Sequence, residues 1–322
     1  MAVLGKKILL LVHPQMRPDS VKARTGTERD VWATLRRLGF QVSICAAQSS
    51  LKKFEKEMVS VQPDIVFNLL EEFRDEGVFD FHLVSHLESA GVPFTGCNPR
   101  GLIVSRNKFW CMQVAAGCSV PVPESTLVRG TQSTKNVSFP AFVKFNREHA
   151  SLGITKHNKV DSQVELKKTL KRMAMKFSGE ILVQSFKPGK DVTVAVLGND
   201  RPRAFPPWCL HLPSTQAFAT ERVKFSSAHR FQQGIRARAY SGPHSEKVVK
   251  AALELYRILD LSGYGRFDFR IDEQGFFLVD VNANPNLARG EDVAASALRA
   301  GLKYEDLVLE ILRLAESYSP RV

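Results

Sequence analysis

The sequence predicts an α/β protein that becomes α+β toward its C-terminus: a small parallel-sheet domain, then strands, hairpins and helices in mixed order. Three observations lead there. The first hundred residues alternate apolar strand-like runs with helical periodicity, which favours a parallel sheet with crossover connections. Two strand runs in the middle of the chain flank a lysine-rich helix. Residues 266–285 alternate apolar and polar side chains on both sides of a turn, the pattern of a hairpin.

The elements follow in order. KKILLLVH (6–13) reads as a strand, TERDVWATLRRLG (27–39) as an amphipathic helix closed by Gly39, and FQVSICA (40–46) as a second strand. PDIVFNLL (63–70) makes a third strand, FDFHLVSHLESAG (79–91) a helix ending at Gly91, and VPFTGCNP (92–99) a short strand and turn. A boundary falls between Asn98 and Gly101, giving a first domain of residues 1–100. NKFWCMQVAAG (107–117) is a helix stopped by Gly117, and SVPVPES (119–125) a proline-punctuated connector. FPAFVKFN and GEILVQSF are the strands flanking the lysine-rich helix, in a central unit of residues 101–190. DVTVAVLGND then starts another hairpin. The final unit, 191–322, mixes an irregular stretch from Pro206 to Pro243, a helix near Glu246 to Leu259, the 266–285 hairpin and a helical C-terminus. A loop as long as 206–243 is usually functional or partly mobile.

Composition narrows the class. A chain of 322 residues, 44% hydrophobic and 24% charged, builds sizeable cores without staples. Five cysteines with no CxxC pairing imply reduced thiols and a cytoplasmic setting. The opening MAVLGKKILLLVHPQ has no small-residue cleavage site and too short an apolar run for a leader, so it reads as a buried first strand. No apolar stretch approaches 18 residues, which argues against a membrane span. The net charge of +12 raises the question of nucleic acid. The basic residues are scattered and no nucleic-acid motif is present, so an anionic nucleotide and an acidic substrate account for the charge as readily.

The hairpin RFDFRIDEQGFFLVDVNANP carries the chemistry. Arg266, Asp268 and Arg270 share one face, with Phe267, Phe269 and Ile271 on the other. A three-residue loop, EQG, pairs Asp272 with Phe276, hence Asp268 with Asp280 and Arg266 with Asn282. In that register Phe277, Val279 and Val281 join the apolar face, and Leu278, Asp280 and Asn282 the polar one. Two carboxylates and an amide oxygen side by side suit Mg2+ or Mn2+, which take oxygen ligands and keep substrate phosphates in their shell. Arg266 beside them is placed to hold a transferring phosphoryl group. The hairpin alone leaves a plain solvated face open as the alternative.

Across nearly the whole chain, the order of these pieces resembles the ATP-grasp superfamily and, within it, the D-alanine:D-alanine ligases. The resemblance rests on TERDV (27–31), EGVFDFHLVSHLESAGVPFTG (76–96), NK (107–108), PAFVKFNREHASLG (140–153), ILVQSFKPGKDVTVAVLG (181–198) and the hairpin. It implies a Rossmann-like N-terminal domain followed by two α+β subdomains enclosing ATP. It also implies that Lys144 and Lys108 contact the phosphates. Gln184, Ser185, Phe186 and Lys187 would form the hinge that holds adenine, and Asp191 would accept the ribose hydroxyls. Ser151 and Gly153 would belong to the phosphate-covering loop, and Lys224 would be carried onto the terminal phosphate by a mobile loop. Glu28 would hold the first substrate's ammonium, and Asp268, Asp280 and Asn282 would hold the metal.

The activity implied is a carboxylate–amine ligation between small amino-acid-like substrates through an acyl phosphate, steadied by Arg266, in an enzyme that is often a homodimer. Two departures bear on the substrate. Asp280 stands where many relatives carry Glu, which leaves open whether one or two metals bind. After the ligands the chain reads ANPNLARGED, where Asn286 and the run Arg289, Gly290 and Glu291 replace the glycine and hydroxyl residues that cradle a second amino acid's carboxylate in dipeptide ligases. Glu71, Glu72 and Glu76 cluster before a helix, where they either favour its N-terminus or face a cationic substrate. Two other readings stay open: a ligase acting on a protein or other acceptor, and a nucleotide-binding regulatory module.

Overall fold

The computed structural model describes residues 5–20, 26–46, 49–129, 137–148, 153–176, 179–213, 218–220, 223 and 232–320. Strands β1 (Lys7–Leu11), β2 (Gln41–Cys45) and β3 (Ile65–Asn68) form a parallel sheet in the order β2-β1-β3. The middle strand is buried throughout Ile8 to Leu11, as a strand covered on both faces should be. Helices α1 (Thr27–Arg37) and α2 (Leu51–Val61) make the crossovers, and α3 (Phe81–Ser89) follows β3. The strand expected within 92–99 is one parallel bridge, Phe94 to Val66.

Helix α4 (Pro99–Arg106) occupies the expected boundary, and α5 (Lys108–Gly117) follows after a single residue. Pro99 and Gly101 read as breakers in the sequence. In the fold Pro99 opens the helix, where its missing N–H costs nothing, and Asn98 caps it by accepting the Gly101 amide. Gly101 is required there because a Cβ would run into Cys97 and Leu261.

The second sheet is antiparallel: β4 (Ser125–Arg129), β5 (Ala141–Phe145), β6 (Lys159–Val160) and β7 (Glu180–Ser185) in the order β4-β7-β5-β6. Helix α6 (Gln163–Ala174) covers one face. Ala141, Val143, Phe145, Leu166, Leu170 and Ile181 belong to the core between them. By strand alternation Phe142 and Lys144 are left on the opposite face.

The third sheet contains β8 (Lys190–Leu197), β9 (Arg203–Ala204), β10 (Trp208–His211), β11 (Arg236–Ala239), β12 (Tyr264–Ile271) and β13 (Phe276–Asn282). Its order is β11-β10-β8-β12-β13, with β9 on β8. The stretch 206–243 is therefore less irregular than its sequence suggests, since β10 and β11 at its two ends pair antiparallel with each other. Helix α7 (Ser245–Ile258) packs against β8 and β12.

Helices α8 (Asp292–Arg299) and α9 (Tyr304–Ser317) return to the beginning of the chain. Val293, Ala297, Leu307, Val308 and Ile311 share one core with Ile8, Leu10, Val31, Leu35 and Phe67. Another core joins Phe54, Leu83 and Leu102 to Val192, Val194, Phe267 and Phe269 of the third sheet. The four-stranded sheet keeps its own core, whereas the first and third sheets are packed into one another through shared ones.

Candidate active site

A cleft of about 340 Å³ lies between the four-stranded sheet and the third sheet. Lys108, Lys144, Gln184, Ser185, Phe186, Lys187, Asp191, Arg266, Asp268, Asp280 and Asn282 all line it.

The hairpin delivers its polar face to this cleft in the expected register: Arg266 opposite Asn282 and Asp268 opposite Asp280. The turn differs. Ile271 pairs with Phe276, and residues 272–275 form a four-residue loop closed by Gln274 and Gly275 amides donating to Asp272 Oδ1 at 2.9 Å. A bulge reconciles the two registers. Pairing passes from Asp268–Asp280 to Phe269–Leu278, so Val279 has no partner on β12. That extra residue reverses the alternation beyond it. Leu278 is buried in the core with Phe269, and Phe277 lies opposite Arg270 with the Lys187 ammonium 4.4 Å from its ring. The expected placement of Phe277 on the apolar face and Leu278 on the polar one is thus corrected.

The bulge also supplies a binding group. Lys144, 7% exposed on β5, donates from Nζ to the Val279 carbonyl at 2.6 Å, bridging the two sheets across the cleft. Lys108, 4% exposed, lies 3.0 Å from Asp280 Oδ1. Its position at the start of α5 is fixed by a closed set of caps. Asn107 accepts from the Trp110 amide, and Asn146 accepts from the Lys108 amide through its carbonyl and from the Phe109 amide through its side chain. These first amides of α5 are therefore engaged by protein, and the Lys108 side chain supplies the positive charge at this point.

Arg266 grips Asp268 at both oxygens, 2.7 and 2.9 Å, and approaches Asp292 at 3.6 Å. Burial works against the guanidinium charge, but Asp268, Asp292 and Asp280 together hold its pKa above the ordinary value. Arg266 and Lys108 are already paired with Asp268 and Asp280, so a divalent cation placed there would have to compete with both.

At the other side of the cleft, Gln184 donates to Ser125 Oγ at 2.9 Å. The Ser185 and Phe186 amides donate to the carbonyls of Glu124 and Pro140, each at 2.8 Å, so an adenine cannot use those two donors. The rings of Phe142, Phe186 and Phe218 cluster, with Phe142 and Phe218 edge-to-face at 4.9 Å. Asp191 Oδ1 accepts from Arg270 at 2.5 Å. Asp191 Oδ2 and Ser185 Oγ are buried with no hydrogen-bond partner among the described residues. Buried polar atoms are nearly always paired, so two such atoms in one cleft point to a polar ligand.

Ser151 and Lys224 lie outside the described residues. Gly153 has φ +72° and a Cβ there would come within 3.0 Å of the Phe145 ring. It does not line the cleft; its neighbour Ile154 does, with Glu148. Glu28 on α1 is also off the cleft wall, and burial pushes its carboxyl up against the pull of a backbone hydrogen bond and His13. It is close enough to Glu71 for their charges to interact. Desolvation pushes the Glu71 carboxyl, on the cleft wall, up to about 7, with Arg106 opposing and Glu28, Asp80 and Glu72 reinforcing.

Sequence reasoning gave no role to Arg270, Asn284, Asp292, Phe142 or Phe218, all of which line the cleft. Arg270 was findable, since it shares the alternation of Arg266 and Asp268. Asn284 accepts the Cys97 amide at 2.8 Å and ties the hairpin's end to the connection between α3 and α4, a contact that no local pattern announces.

Two antiparallel sheets closing on a lysine- and carboxylate-lined cleft, beside a parallel-sheet domain, define an ATP-grasp ligase that forms carbon–nitrogen bonds. The chain belongs to the family described as D-ala D-ala ligase C-terminus, whose model matches residues 123–313. It is 26% identical to the D-alanine--D-alanine ligase of Thermotoga maritima, over 96% of this chain and 97% of that one. It is 27% identical to the uncharacterized protein y4sG of Sinorhizobium fredii, over 88% and 86%. Among solved structures, the D-alanine--D-alanine ligase from Bacillus anthracis complexed with ATP superposes with a TM-score of 0.73 at 17% identity, covering 97% of this chain and 98% of that one. The VanG D-Ala:D-Ser ligase from Enterococcus faecalis gives 0.71 at 18% identity, covering 97% and 99%.

Proposed function

We propose that the chain joins a carboxylate to an amine at the expense of ATP, with Mg2+ or Mn2+, through an acyl phosphate. The observation that carries this reading is the meeting of Lys108, Lys144, Arg266, Asp268, Asp280 and Asn282 in one cleft. The donor set fits a hard divalent cation, because all three candidate ligands offer oxygen. When bound, the ion neutralises charge on the transferring phosphoryl group.

The remaining work falls to the side chains. Adenine lies among Phe142, Phe186 and Phe218, with Lys187 and Gln184 at the hinge, and the ribose meets the unpaired oxygen of Asp191. Lys144 and Lys108 hold the phosphates as buried point charges. Arg266 steadies the terminal phosphoryl group as a substrate carboxylate attacks it. The same guanidinium then meets the oxyanion formed when the amine attacks the acyl carbon. Lys224, Ser151 and Gly153 are assigned to the covering loops and Glu28 to the donor's ammonium. The five free cysteines, four of them buried, fit a reducing cytoplasm.

The test is release of ADP and phosphate from ATP and Mg2+ with pooled D- and L-amino acids, with product masses read by mass spectrometry. The expected result is a new mass smaller by one water than the sum of two substrates. Tight ATP binding with no turnover across a broad panel of donors and acceptors would instead favour a regulatory module.

A further inference from the structure

The net charge of +12 is unevenly placed. Residues 156–176 hold seven lysines and arginines against two carboxylates, which makes +5 of that total. Four of the seven lie on α6 and Lys176 lies just beyond its end. Helix α6 packs on β5 and β6 through Leu166, Thr169, Leu170 and Met173. The opposite face of that sheet, with Phe142 and Lys144, is the cleft wall. The outer side chains of α6 therefore stand about one helix diameter, ~10 Å, beyond the sheet. That exceeds the Debye length of about 8 Å at physiological salt, so a nucleotide in the cleft leaves them uncompensated.

Burial of those four residues fixes the outermost line of the helix as Val164, Lys168, Lys171 and Met175. Their spacing of four, three and four residues makes one stripe about 16 Å long. Val164 is 63% and Met175 81% exposed, high values for apolar side chains, and they bracket the two lysines. Exposed Lys167 flanks the stripe. Exposed Lys156 lies on the short helical turn Lys156–Asn158, which α6 holds by Thr169 donating to the His157 carbonyl and Arg172 to Asn158 Oδ1. Both carboxylates of the segment are engaged locally, Asp161 by Lys159 and Glu165 by the Asp161 amide. Among the described residues, Lys156, Lys167, Lys168, Lys171 and Lys176 form no ion pair.

The chemistry of this face selects among anionic partners. A second copy is disfavoured, because pairing the stripe with itself sets lysine against lysine. Nucleic-acid recognition draws on arginine forks and aromatic stacking, and the stripe offers neither, since Arg172 is bonded to Asn158. Lysines on a convex ridge with apolar groups at both ends suit a plane of anionic headgroups. Their ammonium groups reach lipid phosphates while Val164 and Met175 enter the headgroup boundary.

We infer that α6 is a peripheral docking surface for an anionic lipid bilayer, contacted by Lys167, Lys168, Lys171 and Lys176 with Val164 and Met175 as shallow anchors. Attachment is reversible, because a few lysines and two small apolar contacts fall far short of a spanning helix. Since α6 and the cleft lie on opposite faces of one sheet, the docked protein keeps its cleft away from the bilayer.

Cosedimentation of the full chain with sucrose-loaded vesicles tests this. The vesicles are phosphatidylcholine alone, or with about 30 mol% phosphatidylglycerol, each at about 50 and 500 mM NaCl. Partitioning onto the anionic vesicles should exceed that onto the neutral ones at least about tenfold at the lower salt, and should be lost at the higher. Lys168→Gln combined with Lys171→Gln should weaken it about thirtyfold, from about fivefold per lysine, with circular dichroism and ATP binding unchanged. Met175→Ser should weaken it about threefold without altering the salt dependence. Lys52→Gln with Lys53→Gln, exposed on α2, removes the same charge elsewhere and should change binding less than about threefold. Equal partitioning onto both kinds of vesicle, or anionic binding that the α6 double variant retains, overturns the inference. Tighter α6-dependent binding to a short DNA duplex or to poly-L-glutamate than to anionic vesicles overturns it too, and assigns the face to nucleic acid or to an acidic protein.

Discussion

The two ends of the cleft hold their carboxylates differently. At the hairpin, each carboxylate that would ligate a metal is matched to a cation: Asp268 to Arg266 at two points and Asp280 to Lys108. At the start of α8, Asp292 lies 3.6 Å from Arg266 with Glu291 beside it, and Arg289 of that run is turned to α1 and Tyr304. Matched pairs let charge be exchanged among phosphate, ion and side chain at little cost. The proposed chemical apparatus sits at the hairpin end, and the α8 end is joined to it through Arg266, which touches both Asp268 and Asp292.

Substitutions can break that contrast. Asp280→Asn should lower kcat/KM for ATP turnover by about 10²–10³-fold, since it removes an oxygen ligand and leaves Lys108 without its carboxylate. A near-normal rate in a phosphate-release assay would sink the proposed metal site. Lys144→Met, which keeps the stem but loses the ammonium, should cost about 10²-fold, read as both kcat and ATP KM. Asp191→Asn should act on nucleotide alone. It weakens the pairing with Arg270 and the ribose contact, so ATP KM should rise about tenfold by titration while acceptor KM stays put.

Arg289→Ala sharpens the comparison from the other side. If Arg289 fastens α1 to the C-terminal segment rather than serving substrate, the variant should lose about 1–3 kcal/mol in urea unfolding with no change of acceptor preference. The smallest effect concerns pH. Desolvation raises the Glu71 carboxyl to about 7 from its ordinary 4.5, so the folded state holds that proton more tightly than the unfolded state does. Its contribution therefore makes the fold less stable as pH rises from about 4.5 to 7, with the penalty complete above that window. Glu71→Gln should flatten this part of the profile of unfolding midpoint against pH, and an unchanged slope would show that Glu71 titrates normally.

How much of this the sequence disclosed depends on the range of the forces involved. Strand alternation alone places Asp268 opposite Asp280, because a one-residue slip would expose Phe267 and Val281. Alternation cannot reveal the bulge at Val279, so the turn and the faces of Phe277 and Leu278 came out one residue wrong. Lys144 was legible as a lone cation in an apolar strand. Its partner was not, since that partner is a carbonyl created by the bulge 135 positions away. The α5 caps were half visible in Asn107 and hidden in Asn146, which approaches only when the four-stranded sheet is assembled. Helix α4 is obscured because Pro99 and Gly101 mark a turn and boundary as readily as a helix start.

The docking of α8 and α9 on the first sheet has a consequence for how the polypeptide is made. Ile8 and Leu10 complete their packing against Val308 and Ile311, and Lys6 forms an ion pair with Glu316, 310 positions later. A nascent chain emerging from the ribosome cannot seal its own beginning until the final helix has been synthesised. Such distant closure slows folding and leaves apolar strands uncovered in the interim. Truncation just before Tyr304 should therefore yield a chain that aggregates through its uncovered first sheet, although every residue lining the cleft would still be encoded.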